Sequence, residues 1–287
     1  MDARAWRQAG ALHRFADLDL FYRRAGGGES LVLLHGFPTS SHDFAPLWDR
    51  LAARFDVVAH DLIGLGWSAK PRRPLTIALQ ADAVESLLAA QGVERAHLFA
   101  HDLGDTVAQE LVARQIDGTG RVAWRSVTLL NGGLFPETHR ALRVQKLLLS
   151  PLGPVLARLS SRRRFDASFA AIFGPDTPPS RAFLDDAWFL LTRDGGRAVL
   201  PRLIRYIVER RERRERWVGA LTARAVPVRL IVGALDPISG RHMAERYREL
   251  VRDPDVVLLD RLGHYPHVED PDAVLSAFLA HPALAAG

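Results

Sequence analysis

Apolar positions along this chain fall into two rhythms. Six short, mainly apolar runs, at 31–34, 57–59, 96–100, 127–130, 228–232 and 256–259, have the length and hydrophobicity of strands buried on both faces. Between them apolar residues recur at three- and four-residue spacing, as on helices covering such a sheet, over about 40–54, 76–90, 103–115, 240–251 and 271–280. Residues 11–24 alternate weakly, with Leu18, Leu20 and Tyr22 on one side, and run into Gly26-Gly27-Gly28, which predicts an antiparallel hairpin. From 134 to 224 the period is helical throughout, punctuated by Pro151, Gly153-Pro154, Gly174-Pro175 and Pro178-Pro179. The pattern predicts an α/β fold: a mainly parallel, doubly wound sheet from 1–133 and 225–287, with a helical cap inserted at 134–224.

Composition narrows the chemistry. The 287 residues are 48% hydrophobic, enough for a large core, and contain no cysteine, which removes disulfides, thiolate nucleophiles and Cys-based zinc sites. The net charge of +5 is carried almost wholly by arginine, since Lys70 and Lys146 are the only lysines. Read as an excess spread over the chain, and with no nucleic-acid motif beside it, this charge predicts no nucleic-acid partner. The run Arg210 to Arg216 is interleaved with Glu209, Glu212 and Glu215, which sets Glu209 against Arg213 and Glu212 against Arg216 at i, i+4 and reads as a solvated helix face. The first residues lack an apolar signal region, and no window reaches the length of a membrane span, so a cytoplasmic protein without membrane association is expected.

The chemistry centres on Leu98-Phe99-Ala100-His101-Asp102-Leu103-Gly104-Asp105, a strand, tight turn and helix with Asp102 at the turn and the small residues Ala100 and Gly104 beside it. That is the setting of a nucleophile elbow; the competing reading is that Asp102 caps the following helix. Asp236 and His264 follow the ends of two later strands, where open α/β sheets place their sites. Alone, Asp236 in Leu-Asp-Pro reads as a turn former and His264 as a structural histidine. The order nucleophile, acid, histidine favours a triad. After the first parallel strand, the loop His35-Gly36-Phe37-Pro38 brings the Phe37 N–H towards that of Leu103, so the two amides form an oxyanion hole, with His35 as a structural hydrogen-bonding residue.

The stretches LLHGFPTSSHDF, DLIGLGWSAKP, HDLGDTVAQEL, NGGLFPETHR, RRERRERWVGAL, GALDP and HYPHVEDP span almost the whole chain. They resemble the α/β-hydrolases of the epoxide hydrolase and haloalkane dehalogenase branch and, within it, the mesoderm-specific transcript family with its bacterial relatives. The resemblance implies the α/β-hydrolase fold, Asp102 as nucleophile, His264 as general base, Asp236 as its orienting acid and residues 134–224 as the cap. A carboxylate attacks without a base and forms an alkyl ester, which His264 then hydrolyses through water. Epoxide hydrolysis to a diol is the leading expectation. Epoxide hydrolases of the family use two cap tyrosines to protonate the alkoxide; Tyr206 is the only one in this cap, and the second is missing.

The alternatives are a haloalkane or haloacid dehalogenase, a carboxylesterase, and a non-catalytic ligand-binding protein. Haloalkane dehalogenases place Trp and Asn where this chain has Leu103 and Phe37, leaving Trp188 or Asn131 as halide donors. Phe135, Phe165, Phe169, Phe173, Trp188 and Phe189 suggest an apolar pocket for a small organic substrate. No cofactor and no metal are called for. Glu137 is the substitute acid and His267 the substitute base.

Overall fold

The apolar runs lie side by side in one eight-stranded sheet, in a computed structural model that describes residues 1–285. The strands are β1 (Ala11–Phe15), β2 (Leu18–Ala25), β3 (Ser30–Leu34), β4 (Asp56–His60), β5 (Arg95–His101), β6 (Ala123–Leu130), β7 (Val228–Gly233) and β8 (Asp255–Leu259), in the order β1-β2-β4-β3-β5-β6-β7-β8. β1 and β2 form the antiparallel hairpin, β2 runs antiparallel to β4, and every later pairing is parallel. The fold is that of an α/β hydrolase. Side chains alternate between two apolar layers: Leu31 and Leu33 pack on one face with Trp6, Phe44, Trp48 and Phe278, and Val32 and Leu34 on the other with Val84, Val107 and Leu111. Each such fully buried side chain contributes roughly 1.5–3 kcal/mol.

The covering helices are α1 (Ala3–Gln8), α2 (Trp48–Ala52), α3 (Ile77–Ala90) and α4 (Leu103–Asp117) before the insertion. Between β6 and β7 lie α5 (Arg143–Leu149), α6 (Gly153–Arg158), α7 (Arg162–Ala170), α8 (Arg181–Thr192), α9 (Leu200–Leu203), α10 (Tyr206–Glu212) and α11 (Arg214–Thr222), with no strand among the described residues. The described residues end with α12 (Arg241–Leu250), α13 (Pro266–Glu269), α14 (Pro271–Leu279) and α15 (Pro282–Ala285).

Two local differences from the sequence pattern have plain causes. The helix expected over 40–54 is a 3-10 turn at Ser41–Phe44 followed by α2, because Pro46 has no N–H to donate to a continuing helix. The Arg210–Arg216 run is not one solvated helix. Backbone at Arg213 leaves the helical region (φ −105°, ψ 16°) and separates α10 from α11. Glu209 accepts the Ile77 amide, Arg216 pairs with Glu110 and Asp117, and Arg210 is buried.

Candidate active site

The β5–α4 turn holds Asp102 at φ 48° and ψ −102°, backbone that L residues adopt only under strain. Strand and helix approach so closely there that a Cβ on Gly104 would sit 2.4 Å from the Leu34 carbonyl oxygen. The Asp102 side chain makes no capping bond to α4, so its carboxylate is left for other work. Its Oδ2 accepts the Phe37 N–H at 3.0 Å. Leu103 opens α4, where first-turn amides have no intrahelical acceptor. The loop amide of Phe37 thus lies on the Asp102 carboxylate. His35 accepts the Leu62 amide at 2.9 Å and bridges to Gly36 O at 2.8 Å, a structural use of its ring.

His264 and Asp236 meet at the far edge of the same site, with Nδ1 2.7 Å from Oδ2. Oδ2 also accepts Asn131 Nδ2 at 2.9 Å and the Ser239 hydroxyl at 2.8 Å, while Oδ1 accepts the Ile238 amide at 2.7 Å. Burial opposes ionisation of Asp236, yet the charge of His264 and these hydrogen bonds bring its pKa down to about 2. Burial likewise opposes a charged imidazole at His264, but the Asp236 charge and hydrogen bond outweigh it and hold the pKa above the ordinary value. Asn131 is committed to Asp236 and Gly233, so it is an orienting group for the acid and not a halide donor. Glu137 is tied to Arg214 and Arg246, away from His264. His267 is fully buried without a hydrogen-bond partner among the described residues, and burial lowers its pKa to about 3.

Arg210, four residues after Tyr206 on α10, is the participant that sequence reading missed. Its Nη2 donates to the Asp102 carbonyl oxygen at 3.0 Å and lies 3.8 Å from Oδ1, and its Nε donates to Thr106 Oγ1 at 2.7 Å. The guanidinium stacks over the Tyr206 ring at 4.6 Å. It is almost fully buried, and a Cβ on Gly133 would lie 2.2 Å from Nη1, so only glycine fits there. Asp105, below it, is held well above the ordinary carboxylate range by burial, so Asp105 does not neutralise the arginine. The i, i+4 spacing from an inward-facing Tyr206 was the available signal.

The Tyr206 hydroxyl is fully buried with no partner among the described residues, and its ring lies 6.0 Å from that of Phe37. Burial and then the Asp102 charge raise its pKa far above the ordinary phenol value. A second phenol comes from outside the insertion: Tyr265 directs its hydroxyl at the Phe37 carbonyl oxygen, 3.5 Å away. Above the site is a cavity of about 420 Å³, reaching Phe37 and His264 and walled mainly by apolar side chains of the insertion. Of the six aromatics expected to line it, Phe165, Phe169 and Trp188 do. Phe173 instead stacks on Tyr265, Phe189 packs on Trp67, and Phe135 is buried against Tyr247.

Asp43, His101 and His267 offer ligand atoms within 4.8 Å of one another. His101 Nε2 is bonded to the His264 carbonyl oxygen and Asp43 to Thr39, and burial keeps Asp43 well above the carboxylate range, so the trio fits a neutral packing layer better than a metal site.

Residues 31–277 match the model of the alpha/beta hydrolase family. The mouse mesoderm-specific transcript protein is 41% identical over 96% of this chain and 86% of its own length, and the putative hydrolase LipZ of Mycobacterium tuberculosis is 37% identical over 96% of each. Among solved structures, the haloalkane dehalogenase DbeA of Bradyrhizobium elkani superposes with a TM-score of 0.81 at 20% identity, covering 97% of this chain and 99% of its own.

Proposed function

This chain belongs to the alpha/beta hydrolase family, and from that premise we propose that it hydrolyses epoxides to diols through a covalent Asp102 ester. The observation that carries the reading is the placement of Asp102: a strained elbow, a carboxylate that caps nothing, and one oxygen already on the Phe37 amide. With Oδ2 so held, Oδ1 is the attacking atom. It forms a bond to an epoxide carbon as the ring C–O bond breaks, and the alkoxide takes the Tyr206 proton. A phenol whose proton is held tightly still serves an alkoxide, which is more basic.

His264, oriented by Asp236, then removes a proton from water. The water oxygen attacks the ester carbon and the developing oxyanion on Oδ2 is stabilised by the Phe37 and Leu103 amides; the bond from that carbon to Oδ1 then breaks, the diol oxygen takes the proton from His264 as it leaves, and the proton left on the Asp102 carboxyl returns to the Tyr206 phenolate. Arg210 acts as a positioning residue, tying residues 134–224, the proposed cap, to the nucleophile turn. A halide would leave without a proton but needs N–H donors; with Asn131 engaged, Trp188 in the cavity wall is the remaining candidate.

Turnover on a panel of epoxides, haloalkanes and aryl esters tests the reading, together with intact-mass analysis of His264→Phe. The expected result is diol from the parent and a protein-plus-substrate mass in the variant. Halide release with no diol makes the protein a dehalogenase, and ester cleavage alone makes it an esterase.

A further inference from the structure

We propose that the face formed by α5 and α6 docks onto an anionic lipid surface. Five of the nine large apolar residues exposed among the described residues fall between positions 144 and 159: Val144, Leu147, Leu152, Val155 and Leu159, the last three at 65%, 53% and 66% exposure. Leu152, Val155 and Leu159 recur at i, i+3 and i+7 across α6 and its two cap residues and so form one stripe. The same stretch concentrates charge. Residues 138–165 hold seven cations and no acid, more than the net +5 of the whole chain, so the remaining residues sum to −2. The excess read from composition as spread over the chain is therefore local.

Of these cations, Arg143, Lys146, Arg158, Arg163 and Arg164 are exposed, and none forms an ion pair among the described residues. The elements packed against α5 and α6 are α9 and the 3-10 segment Arg193–Ala198. They add Arg197 and Arg202, and their one acid, Asp194, is paired with Arg193.

Exposed apolar side chains beside unpaired cations suit a helix lying in the headgroup region, with its apolar stripe in the acyl boundary and its cations on phosphate. No helix of the described residues is long and apolar enough to cross a membrane, and this mode needs none. A soluble protein partner of acidic character would satisfy the charge but would not require so many isolated aliphatic side chains. The face is continuous with the cavity: Val144 and Leu147 belong to both, and Arg164 and Ser160 stand at its rim. Docked this way, the cavity opens toward the bilayer, and an apolar substrate enters without crossing water. Docking through this face does not involve Asp102 and is independent of the proposed reaction.

Co-sedimentation of the full chain with vesicles tests it, comparing pure phosphatidylcholine with vesicles holding about a third phosphatidylglycerol. The expected result is at least roughly tenfold tighter binding to the anionic vesicles, lost at about 0.5 M salt. Combined Leu152→Ser, Val155→Ser and Leu159→Ser should weaken it roughly tenfold, as should Arg143→Gln, Lys146→Gln, Arg158→Gln and Arg163→Gln together, with unchanged melting curves because these positions are exposed. No binding to anionic vesicles, or binding indifferent to both sets, overturns the proposal. So does a concentration-dependent dimer of the parent that the serine set dissolves while vesicle binding is absent, since a second copy then covers the face.

Discussion

Arg210 places a full positive charge 3.8 Å from Asp102 Oδ1 and holds the elbow carbonyl and Thr106 at the same time. Removing it should slow formation of the ester, since both the geometry and the field at the nucleophile change. Arg210→Met is expected to lose about ten- to a hundredfold in the single-turnover alkylation rate, with Arg210→Lys recovering part of it because charge returns without the two-point contact. Equal alkylation by the folded Met variant would reduce Arg210 to packing. Tyr206→Phe deletes only a hydroxyl that has no partner among the described residues, so the fold should be kept while epoxide opening falls by roughly a hundredfold. Unchanged opening would remove Tyr206 from the chemistry. That Phe37, Asp102, Leu103, Asp236 and His264 each follow a strand end was legible in sequence, because local pattern fixes position there. Arg210 was hidden because its role comes from a contact 104 residues away in sequence, and its Glu-rich neighbours imitate a solvated face.

At the scale of elements, the loop after β8 has to present His264 against the insertion. Its amide donates to Ile172 O at 2.7 Å, and a Cβ on Gly263 would lie 2.4 Å from that same oxygen. Glu269 on α13 gathers the segment: Oε2 accepts the amides of Gly174 and Gly263 and the Thr177 hydroxyl, and Oε1 accepts the Tyr265 amide. Glu269→Ala leaves those donors without their acceptor and should cost about 1–3 kcal/mol in denaturant unfolding. It should also slow ester hydrolysis more than ester formation, because in the proposed reaction His264 serves only the second step. Equal effects on both steps would mean that the loop acts on the whole site. The HYPHVEDP stretch announced His264 but not this acceptor role, which depends on Gly174 and Thr177 being brought in from the insertion. Cavity aromatics were half legible for the same reason: periodicity says that Phe173 and Phe189 face inward, not which neighbour they meet.

Across the whole molecule, burial keeps His60, His139 and His267 neutral with pKa values of about 3, and lowers those of His35 and His101 as well. Below about pH 6.5 the unfolded chain binds protons at these sites that the folded chain does not, so stability falls as pH falls. Asp43, Asp105 and Glu209, kept neutral by burial, and His264, whose pKa is raised, act in the opposite sense, but burial also lowers His13, His242 and His281, so the lowered histidines are eight against four. Each proton in the balance is worth about 1.4 kcal/mol per pH unit. The melting temperature is therefore expected to drop between pH 6.5 and 5, and a flat profile there would mean that the buried rings are hydrated. In the proposed reaction Asp102 carries the covalent intermediate. A single turnover of an epoxide substrate in water enriched in heavy oxygen, with excess enzyme, followed by peptide mass analysis, tests it most directly. Water attacks the ester carbon, so one heavy oxygen should appear in the Asp102 carboxylate and none in the first diol. Label in the diol with an unlabelled Asp102 would mean that water attacks the epoxide directly and that Asp102 is not the nucleophile.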